Sequence, residues 1–417
     1  MDFSNDLLIL ASEAETALAP VFAEIDRIAS VNTERVLRSF AAHRVSEALF
    51  AGSTGYGYGD NGRDTLDASY ADVFGAEAAI VRPHIVNGTH ALTIGLFGLL
   101  RPGDVMLSVT GKAYDTLAEA IGLAGKNGDG SLADFGVSYD EVALLTDGGI
   151  DFAGIDAKLK EHGAKVKIVF IQRSKGYANR KTLSADEIGE VARFVKARSG
   201  AFVVVDNCYG EFCDEKEPTA CGADLIIGSL IKNPGGGMAE IGGYLAGTKR
   251  AIELVSYRLT SVGIGAECGA SLGQNRNMFR GFFYAPHTVA QAKKTAAFAS
   301  FIFEKMGYPV EPLWNEARHD IIQTVVFGDP DGLCAFCRGI QAGSPVDSYV
   351  TPEPWDMPGY DDKVIMAAGT FVQGSSIELS ADGPLRPPYT AFFQGGLTYE
   401  SGKYAILTAA QFLRDLK

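Results

Sequence analysis

The sequence predicts a doubly wound α/β protein, with a large domain on a mostly parallel sheet and a smaller C-terminal α+β domain. Three observations carry that expectation. Short, β-branched apolar runs recur between residues 78 and 247, and they are apolar on both faces, as a buried parallel sheet requires. Amphipathic helical stretches alternate with them. Beyond about residue 270 the texture changes to one long helical stretch followed by turn-rich and strand-rich sequence.

Residues 1–52 read as an N-terminal helical segment. Leu7, Leu8, Leu10 and Ala11 open an apolar stripe that Ile28, Val31, Val36, Leu37 and Phe40 continue. The segment STGYGYGDNGRDT (53–65) breaks the periodicity with four glycines and two tyrosines, which marks a loop. The large domain, 53–270, holds six strand candidates: 78–83, 104–109, 166–172, 201–207, 223–229 and 242–247. Between two of them, Ser184 with Glu187 three positions later makes a capping box for a helix whose apolar face is Ile188, Val191, Phe194 and Val195. The C-terminal domain, 271–417, opens with a long helix over 285–307 and carries a Pro-rich acidic surface loop at 351–362.

Composition narrows the function. The 417 residues carry a formal net charge of -14 and no basic stripe interleaved with aromatics, which argues against nucleic acid as a partner. No apolar run reaches membrane-span length, and acids stand at the N-terminus where a signal peptide has bases. Six sparse cysteines then suggest reduced thiols and a cytoplasmic protein. The lone C-x-x-C, Cys334 and Cys337, reads as two small residues on one helix, and none of the six histidines has metal-ligand spacing, so no metal is expected.

The residues that could do chemistry fall at strand ends. Asp206 closes the run Phe202–Val205, at the carboxyl end of a strand, where open α/β sheets bind ligands. The next run ends in Ser229-Leu230-Ile231-Lys232, followed by Gly235-Gly236-Gly237. Adjacent strands would bring Asp206 and Lys232 to one rim. Burial should depress the pKa of Lys232 and make it a usable amine nucleophile. An Asp facing a pyridine nitrogen keeps it protonated, so the ring accepts electrons. Asp, Ser-x-x-Lys and a glycine run together match the needs of pyridoxal 5'-phosphate. Asn87-Gly88-Thr89-His90 opens an apolar helix whose N-terminus can take a phosphate, with Ser229 as a further ligand. Tyr114, just past another strand, is placed to stack on a flat ring.

The order of these elements resembles the Cys/Met-metabolism group of fold-type I pyridoxal-phosphate enzymes, which includes methionine γ-lyase and the cystathionine lyases. IVNGTHAL, DNCYGEF, GSLIKNPGGG, GGYLAG and FFQGGLTYESGKYAI look more specifically like the bacterial aluminium-resistance or methionine γ-lyase-like family, across essentially the whole chain. The resemblance implies that Lys232 carries the cofactor, Asp206 partners its ring nitrogen, Tyr114 stacks on it, and Gly88, Thr89 and Ser229 form the phosphate cup. Related lyases also reach a neighbouring subunit's cofactor with a Tyr and an Arg from an N-terminal loop. Tyr56 matches that Tyr, but Tyr58 and Gly59 stand where the Arg is expected, and Arg63 comes only later. A homodimer or homotetramer with shared active sites is thereby implied. For the carboxylate of a small amino-acid substrate the candidates are Arg386 and Arg173. Lys175 rivals Lys232 but lacks the Ser-x-x spacing and the glycine run.

The expected activity is carbon–sulfur bond cleavage in a sulfur amino acid, by β- or γ-elimination, with Lys232 and Tyr114 moving protons. The alternatives are transamination or retro-aldol cleavage on the same cofactor, or a non-catalytic relative of the fold. No P-loop or G-x-G-x-x-G signature supports a nucleotide-binding reading.

Overall fold

A computed structural model of the chain describes residues 3–178, 180–357 and 362–416. The β-branched runs become β1 (Ala78–Arg82), β2 (Val105–Ser108), β3 (Ser138–Glu141), β4 (Val166–Gln172), β5 (Phe202–Asp206), β6 (Leu225–Ser229) and β7 (Gly243–Gly247). They form one sheet of order β1-β7-β6-β5-β4-β2-β3, in which β7 alone runs against the rest. Six of these strands match the sequence reading. The seventh, β3, reads Ser-Tyr-Asp-Glu, is half exposed, and escaped it because an edge strand has only one neighbour and need not be apolar.

Alternation explains why the runs are apolar throughout. Val203 and Val205 enter the core on one face of the sheet, and Val204 enters the core on the other. The helix Ala185–Lys196 begins with the expected capping box of Ser184 and Glu187, and buries Ile188, Val191 and Val195.

A second, wholly antiparallel sheet follows, with β8 (Val310–Glu311), β9 (Ile322–Val326), β10 (Val364–Ala367), β11 (Ser380–Pro384) and β12 (Thr390–Gln394) in the order β10-β11-β12-β9-β8. The helices Pro330–Ala342 and Tyr399–Asp415 cover it, and Phe303, Phe336, Val325, Phe393 and Leu407 share its core. Cys334 and Cys337 lie buried on the first of these helices as free thiols. Of the loop expected over 351–362, residues 358–361 lie outside the described residues.

Two long helices join the cores. The helix Asn275–Lys305 starts ten residues before the expected 285, and Pro286 lies inside it. Met278, Phe279 and Phe282 are buried ahead of that proline, and this burial offsets the hydrogen bond that proline removes. Its first half packs into the core of the large sheet, and its second half, from Ala297 to Phe303, into the core of the small one. The helix Asn5–Ala42 likewise places Leu7, Ala11, Ala14 and Leu18 against the small sheet's core and Val36 against the large one. Among the described residues no helix is long and apolar enough to cross a membrane.

Candidate active site

Parallel neighbours align their carboxyl ends. Gln172 of β4 pairs with Asp206 of β5, and Asp206 pairs with Ile227 of β6, two residues before Ser229. Beyond Ser229 the chain turns into the short 3-10 turn Asn233–Gly235, with Lys232 immediately before it. Tyr114, Gln172, Asp206, Cys208, Tyr209 and Lys232 therefore line one cleft from the side of the large sheet. Ile322, Asp382, Phe392 and Gln394 close it from the small sheet.

The ammonium of Lys232 lies 4.0 Å from the centre of the Tyr209 ring. Its pKa departs from the sequence expectation. Burial does act to lower it, but Cys208, Tyr209 and Asp206 outweigh burial and hold it above the ordinary lysine value. Depression by burial needs an apolar wall, and here the wall is polar. Asp206 is itself pushed up by burial, against the charge of Lys232 and the Cys208 amide, which donates to Oδ1 at 3.1 Å.

Next to this cleft lies an anion cradle. The hydroxyl of Ser229 is fully buried with no hydrogen-bond partner. Gly88 and Thr89 open the helix Gly88–Leu99, so their amides have no carbonyl of their own helix to bond. A Cβ on Gly88 would lie 3.4 Å from Cys208 Sγ and 3.5 Å from Ser229 Cβ, closing the space that the glycine leaves beside both. Thr89 Oγ1 lies 3.2 Å from Thr116 Oγ1. An orphaned hydroxyl and two free helix amides beside a lysine and a buried aspartate fit the phosphate, carbonyl carbon and ring nitrogen of pyridoxal phosphate.

Tyr114 caps the helix Asp115–Ile121 and meets the Tyr177 ring edge-on, with centroids 6.1 Å apart. Gly176, at φ 55°, lets the backbone pass it, since a Cβ there would be 2.9 Å from Tyr114 Cδ2.

The remaining candidates lie elsewhere. Arg173 does not face the cleft. It is fully buried, bonded to Asp214 at 2.7 Å, Glu217 at 3.3 Å and Asn207 Oδ1 at 2.8 Å, so its charge is already neutralised beneath the rim. Arg386 sits at the outer mouth with Tyr177 and Arg180, exposed and paired with Asp362 at 2.9 Å. Tyr56 is 69% exposed and stacked on Tyr58, and within the single chain it is not among the residues lining the Lys232 cleft. Arg63 is buried under that loop and donates to Gly57 O at 2.8 Å and Gly269 O at 3.0 Å. Lys175 is buried 3.7 Å from Glu311, outside the inner cleft.

Sequence reasoning passed over Cys208, Tyr209, Tyr177, Asp382 and Gln394. The signal for Asp382 was available in SADGP (380–384), where polar Ser380 and Asp382 alternate with Ala381 and Gly383.

The chain is similar over nearly its whole length to known proteins. The family model described as methionine gamma-lyase matches residues 7–414. A solved Clostridium novyi structure, described as a carbon-sulfur lyase involved in aluminium resistance, is 51% identical, with a TM-score of 0.94 over 98% of this chain and 96% of that one. A Listeria monocytogenes structure, whose described cystathionine β-lyase activity is itself an inference, is 48% identical, with a TM-score of 0.94 over 97% of this chain and all of that one. The Bacillus subtilis protein YnbB, which has no assigned activity, is 54% identical over 97% of this chain and 95% of its own length.

Proposed function

The chain belongs to the methionine γ-lyase family, whose members are pyridoxal-phosphate-dependent carbon–sulfur lyases, and from that premise we propose that it cleaves a carbon–sulfur bond of a sulfur amino acid by β- or γ-elimination at the Lys232 cleft. The observation that carries this reading is the placing of Lys232, Asp206 and Tyr114 around one cleft beside the orphaned Ser229 hydroxyl.

When bound, the cofactor supplies a ring that takes up the electron pair released at the substrate α-carbon. The protein does the rest. The amides of Gly88 and Thr89 and the hydroxyl of Ser229 would bind the phosphate. Asp206 would hold a proton at the ring nitrogen. Tyr114 would stack on the ring and orient it. Lys232 Nζ would hold the cofactor and, as a free amine, would take the proton from the substrate α-carbon. Tyr114 Oη would supply the proton that the departing thiolate needs. The cleft walls from both sheets limit water at these atoms.

The active assembly is a homodimer or homotetramer. The Tyr56 loop supports this reading. Its two tyrosines are exposed, and it is laid on residues 269–272, of which Leu272 is exposed, by bonds from Gly269 N to Tyr56 O and from Leu272 N to Ser53 O. Gel filtration giving a monomer at micromolar concentration would count against it.

The central test is a visible absorption spectrum of wild type beside Lys232→Ala, then thiol release from methionine, homocysteine and cystathionine. A coloured wild type that borohydride bleaches, a variant without the covalent adduct, and thiol release by the wild type alone are the expected results. A wild type that stays colourless with added pyridoxal phosphate overturns the reading. Amino transfer to a keto acid without thiol release would replace elimination by transamination.

A further inference from the structure

We propose that Asp382 reads the leaving arm of the substrate and selects thioether amino acids that carry an ammonium group on that arm. The inference rests on the reading of Lys232 as the residue that holds the cofactor.

The argument starts from the cleft face of the small sheet. Asp382 of β11 pairs with Phe392 of β12, and Gln394 of β12 pairs with Ile322 of β9. All four line the cleft opposite Lys232. Two apolar side chains, one amide and one carboxylate thus face whatever projects from the cofactor side. Phe392 and Ile322 suit methylenes and sulfur, and the carboxylate suits a cation.

Asp382 lacks such a partner. It is 8% exposed, and Tyr177 and Gln394 hydrogen-bond to it yet leave the buried Oδ1 without one. A carboxylate taken out of water with an oxygen unsatisfied is unfavourable until a donor arrives. Burial pushes the Asp382 carboxyl up to about 7, and the charge of Lys232 pulls against that rise.

Among the described residues lining the inner cleft, Lys232 is the only basic one. Arg180 is close, but its guanidinium donates to the carbonyls of Gln172 at 2.7 Å, Ser174 at 2.5 Å and Lys181 at 3.1 Å. The reacting α-amino group is committed to the cofactor. A second ammonium on the substrate is the cation that this geometry accepts.

The test uses the cofactor-loaded protein and pairs of compounds of equal shape. S-(2-aminoethyl)-L-cysteine and S-propyl-L-cysteine differ only in a terminal ammonium against a methyl, and thiol release is read as kcat/KM. L-ornithine and L-norleucine differ in the same way and contain no sulfur, so calorimetry reads their binding without turnover. The wild type is expected to favour the ammonium member of each pair by about tenfold or more, the size of one charge-assisted hydrogen bond. Asp382→Asn keeps the shape and should erase both preferences by weakening the ammonium member of each pair. Asp382→Glu should restore part of them.

Equal affinity of the wild type for ornithine and norleucine overturns the proposal, as does failure of both to bind. An equal loss on both members in Asp382→Asn also overturns it, because Asp382 would then serve the α-carboxylate or the fold. An ornithine preference that vanishes in Asp382→Asn, with no thiol released from any compound, keeps the anchor and removes the lyase reading instead.

Discussion

The Lys232 ammonium rests on the face of Tyr209, and the residue after the lysine, Asn233, holds that tyrosine in place: Asn233 Nδ2 donates to Tyr209 O at 2.8 Å and to Glu211 O at 3.0 Å. Tyr209 has φ 73°, a left-handed conformation that a non-glycine residue keeps only when its surroundings impose it. The lysine and the ring beneath it are thus tied through one buried amide.

Asn233→Ala removes both bonds and leaves two buried carbonyls without that donor. We expect a loss of about 1–3 kcal/mol in a urea melt. Cofactor-band intensity should fall with it, because Tyr209 is released from its strained backbone. A variant with unchanged stability would show that the left-handed turn is held by other contacts.

The orphaned Ser229 hydroxyl predicts weaker cofactor binding in Ser229→Ala, by about tenfold, the equivalent of ~1.4 kcal/mol for one lost bond to a phosphate oxygen. Stability of the cofactor-free protein should barely move, since the hydroxyl has no partner there. Gly88→Val should block loading altogether, because its side chain would occupy the space beside Ser229 and Cys208. Spectrophotometric titration with pyridoxal phosphate separates these outcomes.

Asp206→Asn should keep the cofactor attached at Lys232 yet lose turnover by roughly a hundredfold or more, since a neutral amide cannot hold the ring-nitrogen proton against the electron demand of the reaction. The check is a normal borohydride-reducible band together with low kcat. A variant that turns over at the wild-type rate would remove Asp206 from the ring nitrogen.

Asp214 carries an acid-stability prediction. Burial works against its ionisation, but the His319 bond at 2.7 Å and the charge of Arg173 overcome burial and pull its carboxyl down to about 2. A carboxyl lower in the folded than in the unfolded chain stabilises the fold at pH values above its unfolded value, here 3.8. That contribution, about 2 kcal/mol from a shift of this size, is lost as pH falls through the folded value near 2. Asp214→Asn should therefore be less stable than wild type at pH 6, and the gap should narrow in urea melts run toward pH 2.

Much of this site was legible because buried parallel strands announce themselves. Val203, Val204 and Val205 admit no other comfortable environment, so the strand end at Asp206 and the Ser-x-x-Lys after the next strand could be placed on one rim from sequence. The arginines could not be placed in that way. Arg173 and Arg386 have the same chemistry in one dimension, and only the fold brings Asp214 and Glu217 onto one of them and Asp362 onto the other. The small sheet's share of the cleft was hidden for a related reason. Asp382 lies far along the chain from Lys232, and its strand is set by pairing with β12 rather than by an apolar run of its own. The Lys232 pKa was misjudged because burial was legible and its polar neighbours were not.

The helix Asn275–Lys305 has a thermodynamic consequence. Half of it belongs to each core, and half a helix of this length is marginal in water on its own. Melting either core would strip the other of its share of that helix, so the two halves of the molecule should lose structure in one cooperative transition. The two tryptophans, Trp314 and Trp355, both fall in the later part of the chain, while the cofactor would report from the rim of the large sheet. Denaturation curves followed by indole fluorescence and by visible absorbance should therefore coincide. Curves that separate would mean that the helix can be shared out without loss.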